Sequence, residues 1–197
     1  MKALPNILTI GRLVLALVVL ACLAAAAGAQ DEARLDLQSW AFVAFVVAAV
    51  TDFFDGWLAR RLQAESVLGA ILDPIADKVL VAGAIVGLIA AGQVGVALPG
   101  GLILFREFAV SALRESLAPK GLRLPVTFLA KCKTTLQLLA LGALMLVPAW
   151  SAWGLPCDPA LQAQAGVWAL GLLWLATLVT LWTGIEYALA ARRALRG

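Results

Sequence analysis

The chain has 197 residues, of which 63% are hydrophobic and 14% are charged, with a formal net charge of +3 and a mean hydropathy of +0.96. In a soluble domain roughly a quarter of all residues are charged. The composition therefore predicts one all-α polytopic membrane domain over residues 1–197 instead. The sequence has no histidine, and its three cysteines are scattered along the chain. Both features argue against a Ser-His-Asp triad and a zinc site. We expect no nucleic-acid partner.

Six apolar segments are long enough to cross a bilayer as helices, for which about 20 residues suffice. They cover residues 7–27, 37–58, 68–91, 94–117, 128–150 and 167–190. Short polar segments connect them, and the longest of these, residues 151–166, is predicted to be an outer loop.

The first segment has a competing interpretation as a cleaved signal peptide, because Lys2 and Arg12 precede an apolar run that ends in small residues. A signal peptide has no need of the polar and proline residues within it, which are Pro5, Asn6 and Thr9. We therefore expect this segment to be retained as the first membrane helix.

The positions of the basic residues predict the topology. If the N-terminus is cytoplasmic, six crossings return the C-terminus to the same side, and every Lys and Arg except Arg34 lies on or near the cytoplasm. This distribution follows the positive-inside rule. We expect an integral protein of the inner (cytoplasmic) membrane, with both termini and the active site facing the cytoplasm.

Four aspartates lie where the second segment ends and the third begins. Asp52 and Asp55 share one face of a helix, and Asp73 and Asp77 share one face of the next. The short link between the segments predicts antiparallel neighbouring helices whose acidic faces meet. Each carboxylate inside a membrane helix costs on the order of 3 kcal/mol, so four of them predict a divalent-cation site for Mg²⁺, Mn²⁺ or Ca²⁺. Pairing with nearby basic residues, the alternative, would explain one aspartate more readily than four.

Small residues and one arginine accompany the aspartates. Gly56, Ala59 and Gly69 carry little or no side chain, so a flat or charged ligand can approach the helix backbones. Arg60 supplies a cation suited to phosphate oxygens. Together with a metal, these residues predict a diphosphate-binding site.

From Asp52 to Asp77 the sequence reads D-x2-D-G-x2-A-R-x8-G-x3-D-x3-D. This string resembles the signature of the CDP-alcohol phosphatidyltransferases at each fixed position, and the six-helix plan agrees with that family. The resemblance implies that Asp52, Asp55, Asp73 and Asp77 bind metal, two ions of Mg²⁺ or Mn²⁺, and that Asp77 is also the general base. It further implies a homodimer.

The same resemblance implies the residues that contact the lipid donor, CDP-diacylglycerol. Five of them lie in or beside the aspartate motif, and three lie in the N-terminal segment. They are Gly56, Ala59, Arg60, Ser66 and Gly69, and Asn6, Thr9 and Arg12.

A narrower resemblance is to those family members that transfer the phosphatidyl group to sn-glycerol 3-phosphate, giving phosphatidylglycerophosphate and CMP. It is carried by residues 5–12, 51–61, 72–79, 106–115, 131–137 and 185–188. An acceptor with its own phosphate needs further cations, and we predict Arg106, Arg114, Lys131 and Lys133 for this role. The alternative is that these are ordinary positive-inside residues that reach lipid head groups.

Other functions remain open. The same chemistry could use myo-inositol phosphate, serine or phosphatidylglycerol as acceptor, although the basic residues favour a phosphorylated one. Aspartate-rich membrane prenyltransferases usually carry two separated aspartate motifs on more helices. A divalent-metal transporter would account for the four carboxylates, but it has no evident need for Arg60 or for the glycine and alanine pattern.

Overall fold

A computed structural model describes the backbone of residues 3–62, 67–120, 128–156 and 158–195, and the side chains of residues 8–52, 72–119, 129–130, 132–156, 158–193 and 195. Within these ranges the chain forms six long α-helices and two short 3₁₀ turns, and no strand. The helices are α1 (Ala3–Ala26), α2 (Asp31–Leu62), α3 (Val67–Ala90), α4 (Ala97–Leu117), α5 (Phe128–Leu146) and α6 (Pro159–Ala194). The all-α prediction is confirmed for the described residues.

The helices α2 and α6 begin well before the residues at which the apolar pattern predicts them. The acidic segment before residue 37 forms the first turns of α2, where Asp31 and Glu32 lie favourably at the positive end of the helix dipole. The α6 helix begins at Pro159, so the prediction of a loop over residues 151–166 is wrong for its second half. The reason is a strong local start signal: the Asp158 side chain accepts a hydrogen bond from the Ala160 amide at 2.9 Å, and proline follows at the first helical position.

Three helical stretches in the described part of the chain are long and apolar enough to cross a membrane: Leu8–Ala26, Asp31–Asp52 and Pro159–Arg193. A shorter apolar stretch covers Cys132–Leu146. Both α3 and α4 carry several charged residues, among them Asp73, Asp77, Arg106 and Glu107, although α3 is otherwise strongly apolar. The number of crossings and the side on which the termini lie therefore stay predictions.

The α1 helix lies between α2 and α3. It packs extensively on both, whereas the described residues of α2 and α3 contact each other very little. The side chains of residues 53–71, where the two acidic helices were predicted to meet, lie outside the described part of the chain, so their direct meeting stays a prediction. On the other side of the molecule α6 packs on α4 and α5, and α5 also contacts α2 and α3.

One face of α1 is buried along most of the described part of the helix. Its residues recur every three or four positions, the spacing of one helical face: Thr9, Arg12, Ala16, Val19, Leu23 and Ala26. This face is apolar over most of its length and becomes polar at its N-terminal end. The polar end is the part of α1 that meets the aspartates.

Small side chains let the helices approach closely, as is usual where membrane helices pack. Ala41, Ala44 and Ala48 are buried on α2, and Ala84 is buried on α3. At Gly100 of α4 the approach is closer still, because a Cβ there would lie 2.5 Å from Cγ2 of Ile85 on α3.

We predict that Gly100→Ala destabilises the fold by about 1–3 kcal/mol, since overpacking forces a buried, β-branched neighbour to move. The neighbouring variant Gly101→Ala is a matched control, because a Cβ at Gly101 meets no atom within 4 Å. Thermal unfolding of both purified variants in detergent measures the difference. Equal midpoints for the two variants would contradict this account of the α3–α4 contact.

Candidate active site

Two residues of α1 hold carboxylates from two other helices. The Nη1 atom of Arg12 donates to Oδ1 of Asp52 at 2.7 Å and to Oδ1 of Asp77 at 2.9 Å. One turn earlier, the hydroxyl of Thr9 donates to Oδ1 of Asp73 at 2.6 Å. Arg12 is 1% exposed, whereas the side chains of Asp52 and Asp77 are 38% and 47% exposed. The side chains of Asp52 and Asp77 therefore extend into open space, while the buried guanidinium of Arg12 holds them from the core side.

Thr9 and Arg12 were predicted to contact CDP-diacylglycerol, and the structure places both against the aspartates. This position explains why the N-terminal segment is polar at these two residues: they continue the buried face of α1 to the level of the acidic site. Their contact with the donor stays a prediction.

Several predicted site residues lie outside the described side chains. Their backbone belongs to α1, α2, α3 or α5, except for Ser66, which lies outside the described residues altogether. The structure therefore says nothing of the predicted roles of Asn6, Asp55, Gly56, Ala59, Arg60, Ser66, Gly69 and Lys131.

The charge balance of this cluster favours a cation. Arg12 pairs with Asp52 and Asp77, and Lys78 lines the same cavity, so these two cations number one fewer than the carboxylates of Asp52, Asp73 and Asp77. All of these donors are carboxylate oxygens, the ligand type that Mg²⁺ and Mn²⁺ prefer. Among the described side chains, no three acidic or thiol groups are gathered closely enough to hold a metal ion. The type of donor atom fits the predicted ions, but the described side chains do not form a complete ligand set, and the predicted fourth ligand, Asp55, is not among them.

A cavity of about 1400 Å³ opens beside the aspartates, between α2, α3, α4, α5 and the C-terminal part of α6. Asp52 and Asp77 line it, and so do Arg106, Arg114 and Lys133. Residues predicted separately for the donor and for the acceptor therefore face one common space.

Arg106 is fixed in the wall of this cavity. It is 6% exposed, and a buried charge is stable only when it is paired and hydrogen-bonded. Its Nη2 atom donates to the hydroxyl of Thr183 at 2.9 Å, and its Nη1 atom donates to Oε1 of Glu107 at 3.3 Å. The backbone of Gly184 makes room for it, since a Cβ there would lie 2.9 Å from Cγ of Arg106.

Tyr187, the only tyrosine of the sequence, joins the two arginines. Its hydroxyl accepts a hydrogen bond from Nη2 of Arg114 at 2.7 Å. The guanidinium carbons of Arg114 and Arg106 lie 4.7 Å and 5.5 Å from the centre of its ring, within cation–π range. Tyr187 was not predicted as a site residue. The polar positions of α6 at helical spacing, Thr177, Thr180, Thr183 and Tyr187, are the signal that would have indicated it.

Glu107 was not predicted either. It forms an ion pair with Lys133 and accepts a second hydrogen bond from Arg106 on the same oxygen. Gln137 also hydrogen-bonds to Glu107, and its amide donates to the hydroxyl of Thr180 at 2.8 Å. A carboxylate in the middle of an apolar segment is costly and usually functional, so Glu107 could have been singled out from the sequence.

Much of the rest of the cavity lining is apolar. Its wall runs from the aspartates along α2 and α5, and several of its residues also lie on the outer surface of the bundle. The wall includes Phe42, Val46, Val50, Leu138, Leu139, Gly142 and Leu146. A polar chamber is thus continuous with an apolar groove that reaches the lipid-facing surface.

The sequence profile of the CDP-alcohol phosphatidyltransferases matches residues 2–182. The chain belongs to this family. The family prediction made from the aspartate motif is therefore confirmed.

Similar proteins of this family come from bacteria. The CDP-diacylglycerol–glycerol-3-phosphate 3-phosphatidyltransferase of Cereibacter sphaeroides is 46% identical over 152 residues, which are 73% of this chain and 63% of that protein. The protein of the same name from Escherichia coli K12 is 40% identical over 156 residues, which are 75% of this chain and 76% of that protein. The match to the phosphatidyltransferase from Cereibacter thus spans less than two thirds of its length.

We predict that Arg12→Gln destabilises this phosphatidyltransferase by about 1–3 kcal/mol in the presence of a chelator. The range is below the cost of breaking a fully buried pair because both carboxylate partners are partly exposed. Thermal unfolding of the purified variant in detergent measures it.

The double variant Arg12→Gln/Asp52→Asn tests the cause. Removing one of the repelling carboxylates should recover part of the lost stability. If the double variant is as unstable as the sum of the two single variants, Arg12 does not act by neutralising the aspartates.

Proposed function

We propose that the chain transfers the phosphatidyl group of CDP-diacylglycerol to sn-glycerol 3-phosphate, giving phosphatidylglycerophosphate and CMP. The cavity supports this reaction most directly, because carboxylates suited to a metal–diphosphate complex and cations suited to a second phosphate line the same space. The names of the bacterial relatives, which are 40–46% identical, support glycerol 3-phosphate as the acceptor.

The donor lies on the aspartate side in this proposal. Asp52, Asp55, Asp73 and Asp77 would hold two Mg²⁺ or Mn²⁺ ions, which neutralise diphosphate charge and stabilise the leaving oxygen when bound. The described contacts of α1 keep three of these carboxylates oriented: Thr9 holds Asp73, and Arg12 holds Asp52 and Asp77.

The acyl chains of the donor fit the apolar groove between α2 and α5. This groove begins beside Asp52, and its residues Val46, Val50 and Leu139 are exposed on the surface of the bundle. A lipid can therefore keep its chains among membrane lipids while its head group enters the polar chamber, so it need not leave the bilayer.

The acceptor lies on the basic side. Arg106, Arg114 and Lys133 attract its phosphate, and Arg106 and Arg114 are held in place by Tyr187. The acceptor hydroxyl attacks the lipid-bearing phosphorus while Asp77 takes its proton. The new P–O bond forms as the bond to CMP breaks, so no covalent enzyme intermediate is required.

We also propose the cellular setting. The protein is an inner-membrane homodimer with six crossings, cytoplasmic termini and a cytoplasmic active site. The distribution of Lys and Arg along the sequence supports this orientation, and the bacterial origin of the relatives supports the membrane.

We predict that the purified protein releases CMP from CDP-diacylglycerol when Mg²⁺ or Mn²⁺ and glycerol 3-phosphate are present. Myo-inositol phosphate, serine and phosphatidylglycerol are tested in parallel, and chelation of the metal should stop the reaction. The Asp77→Asn variant should lose activity while still folding, because the amide cannot accept the proton.

Each outcome decides a separate part of the proposal. No CMP release with any acceptor would exclude the transferase function. Release with inositol phosphate but not with glycerol 3-phosphate would change only the acceptor. Substantial activity of Asp77→Asn would place the general base elsewhere.

We predict that Gly184→Ala raises the KM for glycerol 3-phosphate, with a loss of about tenfold to a hundredfold in kcat/KM, because the added methyl group displaces Arg106. The KM for CDP-diacylglycerol should not change. Gly171→Ala is the matched control on the same helix, since a Cβ there meets no atom within 4 Å. Equal increases in both KM values would contradict the assignment of Arg106 to the acceptor.

A further inference from the structure

A smaller recess of about 160 Å³ shares much of its lining with the large cavity. Asp52 and Asp77 line it, together with Glu107, Lys133 and Gln137. The recess therefore connects Asp77, which is proposed to take the acceptor's proton, with Lys133, which is one of the cations proposed to hold the acceptor's phosphate.

Glu107 is an unexpected residue in this position. A carboxylate among the cations of a phosphate site repels the phosphate and neutralises part of the charge that should attract it. Its side chain is only 16% exposed, so solvent screens this repulsion weakly. Glu107 could pair with Lys133 without facing the cavity or the recess. It nevertheless lines both of them.

The chemistry of a carboxylate gives it a selective role. An ionised carboxylate accepts hydrogen bonds and donates none, and its two oxygens offer about four acceptor positions. Arg106, Lys133 and Gln137 are its described hydrogen-bond donors. Beyond these described contacts, a capacity for one further donor remains. Within an anion site, such a group favours a ligand that carries a hydroxyl beside its phosphate.

We propose that Glu107 is a specificity-determining residue that accepts a hydrogen bond from the second hydroxyl of the acceptor. The carbon chain of the acceptor lies in the recess, its reacting hydroxyl is near Asp77, and its phosphate lies with Lys133 and Arg106. This inference rests on the proposed function and identifies the acceptor class as a phosphate monoester of a vicinal diol.

The test compares two acceptors in one assay of CMP release with CDP-diacylglycerol and Mg²⁺. They are glycerol 3-phosphate and 3-hydroxypropyl phosphate, which lacks the second hydroxyl but keeps the phosphate and the primary alcohol. We expect the wild-type protein to prefer glycerol 3-phosphate by at least about tenfold in kcat/KM, because an analogue without the hydroxyl leaves a buried acceptor unpaired. In Glu107→Gln this preference should fall by about tenfold or to near unity.

The ratio of two kcat/KM values in one preparation does not depend on the fraction of active protein, so partial misfolding of a variant does not affect it. Glu115→Gln is the control, since Glu115 lines the large cavity but not the recess. It should keep the wild-type preference. If Glu107→Gln has no activity with either acceptor, the ratio is measured in Glu107→Asp, whose shorter side chain should also weaken the preference.

Two results would overturn the inference and leave the proposed function intact. One is equal use of both acceptors by the wild-type protein. The other is an unchanged preference in the Glu107 variants, with kcat/KM lowered by the same factor for both acceptors, which would make Glu107 only a positioning residue for Lys133. Failure of the proposed function itself is distinguishable, because the wild-type protein would then release no CMP with glycerol 3-phosphate.

Discussion

The shared ion pair of Arg12 with Asp52 and Asp77 is the interaction on which the site depends. The two aspartates belong to α2 and α3, whose described residues hardly touch. The described contact that joins the two carboxylates comes from α1. Its apolar face fixes the helix in the core, and its polar end brings a buried guanidinium and the Thr9 hydroxyl to the level of the aspartates. A cluster of like charges thereby becomes a stable feature of a membrane helix bundle.

The α6 helix, at another wall of the cavity, also has a buried face that is apolar over part of its length and polar near the site. The buried face of α6 is apolar at Ala169 and Leu173 and becomes polar at Thr180, Thr183 and Tyr187. The Thr183 hydroxyl and the Tyr187 ring supply partners that a buried Arg106 requires. In both helices the polar residues follow the helical spacing of the apolar face, so the core and the site form one continuous packing surface. Charges can then face a common cavity without being exposed to lipid.

The motif at residues 52–77 could be interpreted from the sequence because its residues are close together in the chain. Helical spacing alone predicts which aspartates share a face, and the short link predicts that the two helices are neighbours. The ion pair of Arg12 with Asp77 spans 65 residues, and the bond of Arg114 to Tyr187 spans 73. No local pattern predicts such partners. The start of α6 was missed for a different reason, since the apolar pattern was given more weight than the Asp158–Pro159 start signal.

The distribution of charge explains why one cavity can serve two anionic substrates. A diphosphate and a second phosphate repel each other, and this repulsion is strong where little water screens it. In the proposed reaction, carboxylates that would bind a metal cation lie at one wall, and arginines and a lysine lie at another, so each substrate has its own counter-charge. Glu107 then limits how strongly the basic wall holds a simple anion. A phosphate that brings a hydroxyl recovers the lost binding energy, whereas inorganic phosphate and other head groups without that donor do not.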